Sequence, residues 1–337
     1  MPLLEVHGLN VTLRTQRGPA RVLRDIGFTL ERGETLGLVG ESGSGKSMLA
    51  LALMGLLPEG AQVEGRIGFD GQELVGLPEA RLCELRGHRI GMVFQEPMSA
   101  LNPVHTVGRQ IAEPMRLHLG LSGSEARRKA IALLERVGIA DAGRRADAYP
   151  HQFSGGQRQR ITVAMALACG PDLLLADEPT TALDVTLQRQ ILDLIRGLVA
   201  ERGMALILVS HDLGVVARNV QRLMVMYGGA VVESGPTAEV FKHRMHPYTL
   251  GLFAARPRLG APRGTRLATI PGTVPDLSDL PPGCPFAGRC GFTIDECHRT
   301  FPLPYEVGPA HHARCIRLDA VAAAKARGGV PGQEPPP

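Results

Sequence analysis

Gly40-Glu-Ser-Gly-Ser-Gly-Lys46-Ser47 follows the apolar run Thr35-Leu-Gly-Leu-Val39 and precedes an apolar, helix-prone stretch, Met48–Leu57, that stops at Pro58. The spacing G-x-x-x-x-G-K-[ST] between a strand and a helix is that of a phosphate-binding loop. Its glycines let successive backbone N–H groups turn inward around phosphate oxygens, and the helix N-terminus adds positive potential. The candidate nucleotide contacts are therefore Gly40, Glu41, Ser42, Gly43, Ser44, Gly45, Lys46, Ser47 and Met48. Lys46 would reach the β- and γ-phosphates, and the Ser47 hydroxyl would bind Mg²⁺.

Working outward, residues 3–39 alternate apolar and polar positions and read as short strands, as do Gly65–Phe69 and Ile90–Phe94. Leu173-Leu-Leu-Ala-Asp177-Glu178 is an apolar strand ending in two carboxylates. Asp177 suits a Mg²⁺ holder and Glu178 a base for the attacking water. A second strand at Ala205–Val209, with a helix over Leu187–Glu201 between, implies a parallel α/β sheet. The stretch from Glu96 to about Ala168 reads as a mostly helical insert. Within it Ser122 and Glu125 form a capping box, and Ile131, Leu134 and Val137 recur at helical spacing.

Composition narrows the choices. Of 337 residues, 44% are hydrophobic and 21% charged, which excludes a disordered or fibrous chain. No apolar run approaches a membrane span, and the N-terminus lacks the order of a secretory signal. These features predict a soluble, cytoplasmic polypeptide. A net charge of +4 and an aromatic content of 4% with no Trp argue against nucleic-acid binding.

Between the phosphate loop and Asp177 lies Phe153-Ser-Gly-Gly-Gln-Arg-Gln-Arg160, which resembles the signature of ATP-binding cassette (ABC) ATPases. Gln95 in VFQEP is similar to the Q-loop glutamine, Ala182-Leu183-Asp184 to the D-loop, and His211 in LVSHD to the switch histidine. More narrowly, QEPMSALNP (Gln95–Pro103), YPHQFSGGQRQR (Tyr149–Arg160), ADEPTTALDVT (Ala176–Thr186) and His246-Pro247-Tyr248 resemble the ATPase subunits of oligopeptide, dipeptide and nickel importers.

The resemblance implies an α/β phosphate-loop NTPase fold with a parallel core, an antiparallel β subdomain, a helical insert and a small Cys-rich C-terminal extension. Residues 1–245 would form the ATPase domain (helical part about 96–168), 246–322 the extension, and 323–337 a disordered tail. Two such chains would sandwich ATP, each placing Ser154, Gly155, Gly156 and Gln157, with Asp184, against the other's nucleotide. Glu178, His211, Gln95 and Lys46 would carry catalysis, with Ser47, Gln95 and Asp177 on Mg²⁺. Implied partners are two membrane permeases, a second ATPase subunit and an extracytoplasmic solute-binding protein, with the chain peripheral on the cytoplasmic membrane face. Two departures stand out. Val11-Thr-Leu-Arg-Thr-Gln-Arg17 offers Leu13 or Thr15, and no aromatic ring, where the family stacks adenine. Phe153 replaces the usual leucine.

An ABC ATPase acting on DNA or ribosomes is the alternative. The absence of a sustained heptad run and the single phosphate loop speak against it. Intact Glu178 and His211 speak against a non-catalytic regulatory subunit.

Four of six cysteines, Cys284, Cys290, Cys297 and Cys315, crowd into a Pro- and Gly-rich segment, a pattern that reads as metal binding in a cytoplasmic protein. Their spacing, C-x5-C-x6-C-x17-C, lacks the short paired spacers of zinc sites, and wide loops of four thiolates can hold a cubane cluster. The resemblance favours a structural [4Fe–4S] cluster, with zinc and unligated thiols as the other readings.

Overall fold

The computed structural model describes residues 1–180, 183–255 and 269–327. An antiparallel sheet in the order β2-β1-β4-β5 is built from β1 (Leu4–Thr15), β2 (Gly18–Leu30), β4 (Gln62–Phe69) and β5 (Gln72–Glu73). The second sheet is eight-stranded in the order β11-β12-β10-β9-β3-β8-β7-β6. Its parallel part comprises β3 (Thr35–Val39), β6 (Ile90–Val93), β7 (Leu173–Asp177), β8 (Ala205–Ser210) and β9 (Arg222–Tyr227). Antiparallel additions are β10 (Ala230–Pro236), β11 (Tyr305–Gly308) and β12 (His311–Ala313).

The parallel strands read as nearly unbroken apolar runs because both sheet faces are covered. Alternate residues feed two cores. Leu36, Leu38, Leu173, Leu175, Ile207 and Val209 pack with the antiparallel sheet and α1 (Lys46–Leu53). Leu174, Ala176, Leu206 and Leu208 pack toward the helices of the other face.

Helix α2 (Glu79–Leu85) packs Leu85 on the antiparallel-sheet side, and the helices of the other face begin with α3 (Pro97–Ala100), α4 (Val107–Leu119), α5 (Gly123–Arg136), α6 (Ala142–Arg145) and α7 (Gly155–Ala166). The insert is helical as expected from its sequence, and Ser122 and Glu125 cap α5 reciprocally. Next come α8 (Val185–Arg202), α9 (Leu213–Asn219), α10 (Thr237–His243) and α11 (Pro247–Ala254), then α12 (Asp295–Arg299) and α13 (Leu318–Ala326).

Three expectations need correction. Helix α1 ends at Leu53 rather than running to Leu57, because the chain turns at Gly55 (φ +61°) and Leu56 N–H bonds back to the Leu51 carbonyl. The segment after residue 245 does not stand apart: β12 pairs with β10 at Glu233↔Ala313, and Phe286 lies in the main core. Residues 323–326 are helix rather than tail, held by buried Val321 and by the Lys325 ammonium donating to the Arg244 carbonyl at 2.9 Å. The rest of the expected tail, 328–337, lies outside the described residues, as do Thr181 and Ala182. Among the described residues no helix is long and apolar enough to cross a membrane.

Candidate functional site

The phosphate loop leaves the C-terminal end of β3, a central strand, and enters α1, where open parallel sheets place their ligands. Gly45 (φ +101°) fits where a side chain would not: a Cβ there would lie 3.1 Å from the Val22 carbonyl and 3.3 Å from Gly229 Cα. A Cβ on Gly40 would lie 2.2 Å from the Met226 carbonyl. Ser42 and Gly43 form the exposed tip, Ser44 and Lys46 are buried, Ser47 is exposed and Met48 is half-buried.

The Lys46 ammonium closes the loop on itself, donating to the carbonyls of Gly40 (2.8 Å) and Glu41 (2.9 Å) and lying 3.4 Å from Ser44 Oγ. Burial lowers its pKa, while Glu178, Asp177 and Glu41 oppose that shift. Asp177, at the end of β7, has its pKa raised by burial, against a hydrogen bond from Ser47. Its Oδ1 is buried without a hydrogen-bond partner. A buried carboxylate oxygen with no partner is costly, and a hydrated cation would satisfy it. The predicted Mg²⁺ donors Ser47 and Asp177 therefore meet, and their chemistry fits that ion.

Glu178 is the residue on which the predicted catalytic set converges. Gln95 Nε2 donates to Glu178 Oε2 at 3.4 Å, and His211 Nδ1 lies 3.2 Å from the same oxygen. Three separate strand ends, of β6, β7 and β8, supply these side chains. Glu178 has φ +45°, a left-handed conformation that costs a non-glycine residue about 1–3 kcal/mol, and its N–H bonds the Val209 carbonyl at 3.1 Å. The backbone strain thus falls at the proposed base.

The signature residues do not join this cluster within one chain. Ser154 caps α7: its Oγ accepts from Gln157 N–H (3.3 Å) while Gln157 Oε1 accepts from Ser154 N–H (3.1 Å). Ser154 and Gly155 are exposed at that helix start. Gly156 is buried against Leu187, where a Cβ would lie 2.2 Å from the leucine Cδ2. Asp184 spends its carboxylate capping α8, accepting from Leu187 N–H at 2.9 Å, so its side chain serves the helix.

Residues that sequence reasoning missed lie beneath the loop. Tyr248 Oη accepts from Glu41 N–H at 2.8 Å, and the Arg289 guanidinium donates to the Glu41 carboxylate at 2.8 Å. Gly229 N–H bonds the Ser44 carbonyl at 3.1 Å. The Gly228-Gly229 dipeptide between two apolar runs was the available hairpin signal for that last contact.

Cys284, Cys290, Cys297 and Cys315 are unbridged and line one small cavity with His246 and Phe286. Burial, together with the neighbouring thiols, pushes the Cys284 pKa up to about 12, and burial lifts Cys315 to about 11. Among the described residues, however, no group of three or more His, Cys, Asp or Glu side chains is placed to hold a metal ion. The expectation of a metal centre gains no support from that placement.

Comparison with known proteins agrees with this geometry. Residues 23–181 match the ABC transporter family, and residues 232–297 match the oligopeptide/dipeptide transporter C-terminal region. A Brucella melitensis protein named for peptide import and ATP binding is 51% identical over 334 residues, covering 96% of this chain and 99% of that protein. The oligopeptide transport ATP-binding protein OppD of Mycobacterium tuberculosis is 51% identical over 321 residues, 95% of this chain and 52% of its own length. Among solved structures, a dimeric ATP-binding cassette in a post-hydrolysis state with ADP and Pi superposes with a TM-score of 0.63 at 30% identity, over 69% of this chain and 98% of that one. A Clostridium perfringens cassette that is part of the cbiONQ ABC transporter complex gives 0.61 at 29% identity, over 72% and 92%. The chain belongs to the ABC transporter ATP-binding family, in its oligopeptide/dipeptide branch.

Proposed function

We propose that this chain hydrolyses ATP to power a membrane importer of di- or oligopeptides. The observation that carries the reading is the meeting of Gln95, Glu178 and His211 beside a lysine-bearing phosphate loop. In that reading Lys46 and the loop N–H groups hold the β- and γ-phosphates. Ser47, Asp177 and Gln95 would hold Mg²⁺, which when bound would offset phosphate charge. Glu178 accepts a proton from the water that attacks the γ-phosphorus. The bond from that phosphorus to the β–γ bridging oxygen breaks, and ADP leaves with the electron pair. His211, on the same carboxylate, orients the water and the γ-phosphate.

Ser154, Gly155, Gly156 and Gln157, unconnected to their own chain's phosphate loop, would face the nucleotide of a second ATPase subunit. Asp184 would lie at the same seam. ATP then favours the closed pair and hydrolysis the open one, which is a population switch. Two permeases and a solute-binding protein complete the machine, with this chain on the cytoplasmic membrane face. Reconstitution with candidate permeases in vesicles should give peptide uptake that requires ATP. Hydrolysis that no peptide or permease stimulates would refute the transport role.

For the cysteine segment, 246–322, the proposed occupant is a [4Fe–4S] cluster on Cys284, Cys290, Cys297 and Cys315. Its support is the resemblance together with the shared cavity, whose four thiols have no disulfide partners. The cluster would add covalent cross-links to a loop-rich segment. Anaerobically purified protein should carry iron and sulfide that Cys284→Ser removes; iron-free, folded wild type would end the idea.

A further inference from the structure

The second residue of the phosphate loop, Glu41, is gripped at three points. Its carbonyl accepts from Lys46, its N–H donates to Tyr248 Oη, and its carboxylate pairs with Arg289. Two of the three grips come from beyond residue 245, more than 200 positions along the chain. Arg289 is itself rigidly seated. Its side chain is 7% exposed, its Nε donates to the Pro271 carbonyl at 2.9 Å, and Nη1 reaches Tyr227 Oη at 3.3 Å. Tyr227, Tyr248 and Phe286 pack ring against ring below, with centroids 4.6–5.3 Å apart.

We propose that Arg289 is a positioning residue of the ATP site, holding the phosphate loop in its nucleotide-receiving shape through the Glu41 carboxylate. This rests on the ATPase reading above. Two physical effects act together. Once Lys46 serves a phosphate, its ammonium no longer tethers the Glu41 carbonyl, so the C-terminal grips carry the loop. Arg289 also neutralises a carboxylate that would otherwise repel the triphosphate at the mouth of the site.

The test is ATP affinity of the full-length chain, measured without Mg²⁺ so that nothing turns over, beside steady-state KM and kcat with Mg²⁺. Arg289→Ala should weaken ATP binding about tenfold, with KM rising more than kcat falls. Glu41→Gln keeps Arg289 on Tyr227 and Pro271, so the C-terminal segment stays docked, and it should weaken binding about threefold. The double variant should be no weaker than Arg289→Ala alone, because both remove one interaction. Arg314→Ala is the control. It deletes another buried guanidinium of the same segment, which bonds Asp25 and the Pro302 carbonyl and touches no loop residue. It should lower the melting temperature and leave ATP affinity within twofold.

Affinity within twofold of wild type in folded Arg289→Ala, or additive losses in the double variant, would overturn the proposal. So would an equal loss in Arg314→Ala. If Arg289→Ala does not fold, unchanged affinity in Glu41→Gln overturns it alone. Wild type that binds no ATP would instead refute the ATPase reading beneath it.

Discussion

At the scale of single residues, Glu178 combines a left-handed backbone with a carboxylate oxygen met by both Gln95 and His211. Strain at that position is maintained by the strand to which its N–H is bonded, so the side chain is aimed before any ligand arrives. Glu178→Gln keeps the shape and removes the basicity. Phosphate release should fall by about 10²–10⁴-fold, while ATP stays bound with near wild-type affinity in a retention assay. Lys46→Ala acts on the other side of the reaction. Loss of a charge-assisted contact worth about 1.5–3 kcal/mol should weaken ATP binding by about 10–100-fold in direct titration. These residues were legible in the sequence because each sits in a short motif whose order along the chain is informative. Arg289 was not legible. Its partner Glu41 lies 248 positions away, and nothing local marks an arginine beside a cysteine as a brace for a distant loop.

At the scale of elements, the turn between β9 and β10 does more than reverse the chain. Gly229 bonds the Ser44 carbonyl and its Cα lies against Gly45, so strand ends and phosphate loop share one narrow contact. A Cβ on Gly229 (φ +76°) would lie 2.6 Å from the Val22 carbonyl. Gly229→Ala should therefore cost about 1–3 kcal/mol in denaturant unfolding and weaken ATP binding as well, whereas a surface change of equal cost would not. The helical insert and strands β3, β7 and β8 were readable from periodicity and capping chemistry. The β9–β10 hairpin escaped because β9 is an almost unbroken apolar run and β10 breaks after three apolar residues into Glu233-Ser-Gly-Pro, so neither shows alternation. The end of α1 escaped because Met54–Leu57 is as apolar as the helix before it, and the stop depends on the turn at Gly55.

At the scale of the whole molecule, the signature helix start presents Ser154 and Gly155 to solvent while the phosphate loop is built elsewhere. Ser154→Arg should leave ATP binding by the isolated chain intact and abolish hydrolysis by the assembled pair, a split visible by comparing titration with phosphate release. The parallel α/β core and the family were readable because six motifs fall in sequence along residues 40–211. The role of the C-terminal third was not. Its Pro- and Gly-rich composition suggests a loose attachment, yet the hairpin of β11 and β12 extends the main sheet and Phe286 enters its core.

That arrangement has a consequence for how the molecule is made. A ribosome delivers the lysine, the carboxylates and the switch histidine well before it delivers Arg289 and the last strands of the sheet. A half-synthesised copy would carry those groups on an unbraced loop, so its grip on the nucleotide should tighten as translation passes the cysteine segment.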